Sequence, residues 1–148
     1  MKNKNLYIEF KERQQKEIDN LPIYFAFGDR QLEERAKELG FETVDEMIKN
    51  VTGIGAGGFV KNNDLDDVLN TFKRQNEELE EALKNDNFLQ SAFEYELANH
   101  EYIITYDISD ALRPLGIKYD EYLKNERYIN IMKKAIENYK KDMELLGW

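Results

Sequence analysis

The sequence contains no cysteine, only one histidine (His100) and only two serines, Ser91 and Ser109. Without cysteine there is no disulfide framework and no thiolate metal or redox site, which fits a cytoplasmic setting. A single histidine excludes the two-histidine motifs of catalytic zinc sites. Neither serine sits in a G-x-S-x-G elbow or beside an obvious base, so nucleophilic catalysis has no support. Apolar residues nowhere run for the roughly eighteen positions a membrane span needs. The opening stretch MKNKNLYIEFKERQQKEID has neither a continuous apolar segment nor a small-residue cleavage site, so a secretory leader is not expected.

What is present is charge and apolar periodicity. The net charge of −9, from 30 acidic against 21 basic residues, repels phosphate backbones and anionic bilayers, so neither nucleic acid nor membrane is an expected partner. A basic protein surface would be attracted. At 148 residues the chain is expected to form one domain, 1–148, with segment 1–21 as a peripheral N-terminal helix.

The apolar pattern predicts a mainly α fold of about six helices, with a minor two-stranded β element at Tyr24–Phe27 and Phe59–Lys61. Residues 5–19 read as a polar helix carrying Tyr7, Phe10 and Ile18, a weakly anchored arm that Pro22 ends. Asp29 is placed to cap a helix over 30–39 closed by Gly40, and Thr43-Val-Asp-Glu46 reads as a capping box opening a helix over 44–50. A long helix is expected from 63 to 84, and Asp86 would cap the next, 87–104, whose row Leu89, Phe93, Leu97 leads to His100. Asp107 or Ser109 opens a short helix. The last helix, 126–146, has Ile129, Met132, Ile136, Tyr139, Met143 and Leu146 at alternating three- and four-residue steps, a stripe that could also pair with a second copy as a homodimer. Leu39-Gly40-Phe41 and Leu115-Gly116-Ile117, each followed by an acidic pair, echo one another as helix-to-helix corners rather than as a duplication.

Two constellations invite chemistry. Gly53-Ile-Gly-Ala-Gly-Gly58 spells G-x-G-x-x-G, yet Phe59 and Val60 stand where a Walker loop needs lysine and a hydroxyl. A dinucleotide loop needs a strand before and a helix directly after, and a helix is expected before this one. The string also imitates a kinase glycine loop, but no H-R-D or D-F-G follows. The reading is a turn or short hairpin with residues of positive φ that turns Phe59 and Val60 inward. Glu96 and His100, four apart on a helix, could offer two ligands to a metal, with a third to come from Asp107 or Asp110. The plainer reading is a partly buried, hydrogen-bonded histidine on an apolar row, so no catalytic residue, metal or cofactor is assigned. Ala36 and Gly40 have helix-turn-helix spacing, but Arg35 and Glu46 fall where apolar residues are required.

The stretches IYFAFGDRQLEERAKELG, GGFVKNND, FEYELANHEY and the ALRPLGI corner resemble a family of small acidic proteins of Firmicutes and their phages, uncharacterised in function. The resemblance implies a helical fold and a phage or mobile-element setting, and transfers no functional residue. Together with the charge and nine tyrosines, it leads to the expectation of a non-enzymatic interaction protein whose acidic surface occupies a basic site on a host protein. The alternatives are a small ligand- or metal-binding protein or enzyme using Gly53–Gly58 or Glu96/His100, and a structural or oligomeric protein.

Overall fold

The computed structural model describes residues 5–147. The fold is mainly helical with one small sheet. In chain order the elements are α1 (Leu6–Asp19), β1 (Tyr24–Phe25), α2 (Asp29–Glu38), α3 (Val44–Asn50), β2 (Val51–Gly55), β3 (Gly58–Lys61), α4 (Leu65–Ala82), α5 (Asp86–Asn99), α6 (Tyr102–Thr105), α7 (Ser109–Leu112), α8 (Tyr119–Leu123) and α9 (Glu126–Leu145). The chain divides into two compact units, Gln15–Gln75 and the segments up to Gln14 and from Asn76 onward, with the divisions falling inside α1 and α4.

The larger unit is built on α5. Leu89, Ala92, Phe93 and Leu97 are completely buried and meet Ala111 and Leu112 of α7 and Met132 and Ala135 of α9. Excluding water from this surface is the main driving force for the unit, at about 1.5–3 kcal/mol for each large apolar side chain. On α9 the fully packed residues are Ile131, Met132, Ala135 and Tyr139, while Leu146 is exposed. Ile129, Ile136 and Met143 of the predicted stripe pack partly buried against the same core, so the stripe holds except at Leu146, and Ile131 and Ala135 widen it because α9 packs within its own chain. Arg127 ties the start of α9 to the turn between α4 and α5, donating to Asp86 at 2.6 Å and to the Leu83 carbonyl at 2.7 Å.

The first half of α1 belongs to this core rather than to a loose arm. Tyr7 and Phe10 are buried, and both rings meet Phe88 edge-on, at 5.9 and 5.2 Å. Two aromatic rings offset the polar remainder of the helix, which the sparse stripe alone does not convey. Residues 1–4 of the expected peripheral segment lie outside the described residues.

The smaller unit is a three-stranded antiparallel sheet, order β1-β3-β2, packed against α2 and α3. Tyr24 pairs with Phe59, and Thr52 with Val60. Phe59 and Val60 are buried as expected, with the Tyr24 and Phe59 rings 5.9 Å apart. The sheet has one strand more than predicted, since β2 flanks β3 on its second side. Thr43 caps α3 by accepting the Glu46 N–H at 3.1 Å, while the Glu46 carboxylate returns to the N–H of Glu42, one residue before the cap.

Two predicted caps shift by one residue. Gly28, at φ 117°, takes the cap position of α2 and leaves Asp29 in the first turn, where its charge still complements the positive helix end. Asn85 rather than Asp86 caps α5, accepting the Phe88 N–H at 3.0 Å. Gly40 and Gly116 close their helices at φ 82° and 70°. The next N–H reaches back five residues in both corners, Phe41 to Ala36 and Ile117 to Leu112, so one local device accounts for the sequence echo.

Candidate functional site

The periodicity that buries Leu89, Phe93 and Leu97 also carries Glu96 inward, leaving its side chain 1% exposed. A carboxylate in that position requires donors. Tyr7 supplies the closest, its hydroxyl donating to Oε1 at 2.8 Å. Lys11, one turn further along α1, holds its ammonium 3.7 Å from the same oxygen, and Asn99 donates to Oε2 at 3.4 Å. The Lys11 ammonium also lies 5.3 and 5.0 Å from the ring centres of Tyr7 and Tyr95, a cation–π seat that fixes its position.

His100 stands where the i, i+4 spacing predicts, with Nε2 3.2 Å from Glu96 Oε2. That nitrogen is buried and lacks a hydrogen bond of proper geometry. Among the described residues no His, Cys, Asp or Glu joins Glu96 and His100 as a third metal ligand. Asp107, one of the carboxylates the sequence offered, instead accepts the Ser109 N–H at 2.8 Å in the turn before α7, which holds its carboxyl below the ordinary range. Helix α5 itself ends at Asn99, and Glu101, at φ 54°, breaks the continuous helix expected to 104. The arrangement thus clasps α1 to α5 through a buried acceptor. Sequence reasoning found Glu96 and His100 but not Tyr7 or Lys11, which lie some ninety positions away and carry no local signal.

Burial pushes the Tyr7 phenol above its ordinary range, and the hydrogen bond to Glu96 pushes it further. The folded chain therefore keeps the Tyr7 proton where the unfolded chain, titrating near pH 10, loses it. This contribution is complete below about pH 10 and disappears as pH rises beyond it, at up to about 1.4 kcal/mol per pH unit. Urea denaturation between neutral pH and strongly alkaline pH measures it. The wild type should lose stability more steeply above pH 10 than Tyr7→Phe, and equal slopes would contradict the assignment.

The glycine segment is a hairpin. Ala56 and Gly57, both at positive φ (52° and 77°), join β2 to β3 in the handedness that suits a two-residue turn. The Phe27 ring covers Gly57 so closely that a Cβ there would lie 2.3 Å from it. No helix N-terminus opens onto these glycines, because β3 follows directly. The letters of the nucleotide fingerprint serve the turn and the close approach of a ring.

A third feature lies within the larger unit. The first turns of α1, the last turns of α4 and the start of α5 border an open groove of about 500 Å³, where exposed Leu6 and half-buried Ala82 lie beside the buried Phe10 and Phe88. Glu9, Glu78, Glu81 and Arg13 stand on its rim. Three carboxylates stand against the Arg13 guanidinium and the Lys84 ammonium, 2.8 Å from Glu81, which leaves the rim acidic by one charge.

Residues 6–138 match a family of unknown function, DUF7659. The chain belongs to this family. The matched span takes in Tyr7, Glu96, His100, the glycine hairpin and every residue bordering the groove. No curated protein and no solved structure matches the chain. Among the described residues no helix is long and apolar enough to cross a membrane.

Proposed function

We propose that this member of the family is a non-enzymatic interaction protein whose acidic surface occupies a basic site on a partner protein. The observation that carries the reading is the groove of α1, α4 and α5, apolar in its floor and acidic at its rim, on a chain of net charge −9. Desolvated apolar anchors supply most of the affinity of such a contact, and complementary rim charges set its rate and specificity. The chemistry-bearing residues support the same reading: Glu96 is engaged inside the fold by Tyr7, Lys11 and Asn99, and Gly53–Gly58 is engaged in the hairpin. In its finer form the reading is a phage or mobile-element modulator acting on a host protein in the cytoplasm, which rests on the sequence resemblance. Affinity capture from a host lysate tests it. A partner held at low salt and released at high salt is the expected result, and a lysate from which nothing is retained over an acidic control protein would overturn it.

A further inference from the structure

The break between α5 and α6 rests on one residue. Asn99 closes α5, His100 follows at φ −104° and ψ 18°, close to the helical region, and Tyr102–Thr105 is helical again. Between them Glu101 stands at φ 54° and ψ 45°, a left-handed conformation that glycine accepts freely and glutamate rarely takes. Its side chain is exposed and makes no capping hydrogen bond that would offset the strain. Rotation of Glu101 into the right-handed region, with a smaller adjustment at His100, would join α5 and α6 into one helix over 86–105. That is nearly the continuous helix, 87–104, that the apolar pattern predicts.

Within one chain the return of α7 and α9 onto α5 prevents this. Leu89, Ala92, Phe93 and Leu97 are completely buried with Ala111, Leu112, Met132 and Ala135, and Tyr102 meets the Tyr139 ring of α9 edge-on at 6.0 Å. A straightened α5 carries α7 to α9 away from its own earlier turns and leaves that apolar surface in water. A second copy straightened in the same way supplies an identical α7–α9 to cover it. The core contacts are then kept between chains, and both left-handed hinges are relieved.

We propose that the chain forms a domain-swapped homodimer with Glu101 as its hinge, α7–α9 of each copy packing on α5 of the other. The core is the same in both forms, so the balance lies between hinge strain and the entropy of association, and high protein concentration favours the dimer. Light scattering on protein refolded at a series of concentrations tests this. The wild type should become dimeric at the upper end. Glu101→Gly accepts the left-handed conformation and disfavours the fused helix, so it should raise the dissociation constant of the dimer at least about tenfold. Glu101→Val, β-branched and strained at this φ, should lower it. Position 101 is exposed, so both variants should keep the wild-type circular dichroism. Tyr106, at φ 53°, ends α6 in either form, and Tyr106→Gly should leave the constant unchanged. Equal weakening by Tyr106→Gly would overturn Glu101 as the hinge.

The absence of cysteine allows the swap itself to be read. Asn138 of α9 donates to Glu94 of α5 at 2.7 Å. A chain carrying Glu94→Cys and another carrying Asn138→Cys, refolded together at high concentration, should bring their thiols side by side across the swapped dimer. A short bis-maleimide should then join the two unlike chains. A wild type that stays monomeric at every concentration, or a dimer in which these thiols are not joined, would overturn the proposal.

Discussion

Replacing Glu96 by leucine should lower the stability of the chain by about 3 kcal/mol, as removal of one member of a buried polar cluster does. The side chain is fully buried, and its loss strands the Tyr7 hydroxyl, a donor with no water to turn to, at a cost of about 1–3 kcal/mol. Lys11 is half-exposed and regains solvent, which keeps the effect at the lower end of the range for broken buried pairs. In a chain of this size the thermal midpoint should fall by roughly 6–12 °C. Adding Tyr7→Phe to Glu96→Leu should recover part of the loss, because an apolar pair leaves no donor unmet. Thermal and urea denaturation of the two single variants and the double variant measure the coupling. A neutral Glu96→Leu would mean that the buried carboxylate is not held for the fold, and would reopen Glu96 and His100 as a working site.

The second large effect is expected at the hairpin. Gly57→Val places a β-branched side chain at φ 77°, which costs about 1–3 kcal/mol, and its Cβ would lie 2.3 Å from the Phe27 ring. Phe27 is 69% exposed and can swing aside, so the collision itself is relieved at the price of the ring's contact. A destabilisation of about 2 kcal/mol should result, read by hydrogen exchange at the amides of β2 and β3. Unchanged protection of these amides would show that the turn does not need its left-handed glycine.

The sequence made the helical class plain because its apolar residues recur at helical spacing, and Leu89, Phe93 and Leu97 are completely buried as that row implied. The two Leu-Gly corners were legible for a local reason, since glycine is the residue that accepts the left-handed conformation at a helix end. Strand β2 was hidden: Gly53 and Gly55 interrupt it, and its pairing with β3 depends on a bulge between them. Its signal was Val51-Thr52, two β-branched residues directly after α3. The run Tyr102-Ile-Ile-Thr-Tyr106 favours strand, yet it forms the single turn α6 between two left-handed residues, Glu101 and Tyr106, a tertiary outcome that local preference does not encode. At Asn85-Asp86-Asn87 three capping residues stand in line, and pattern alone did not select Asn85. The clasp on Glu96 and the groove each join α1 to residues more than sixty positions away, and only folding brings such partners together.

The central claim is that an acidic, apolar-floored surface makes this chain an interaction protein. It is tested most directly by capture from one host lysate with two baits in parallel, the wild type and a Leu6→Arg/Glu81→Lys variant of equal thermal stability. The account predicts that the wild type retains a partner at low salt and that the variant loses the same partner. Equal retention by both baits, or none by either, would contradict it.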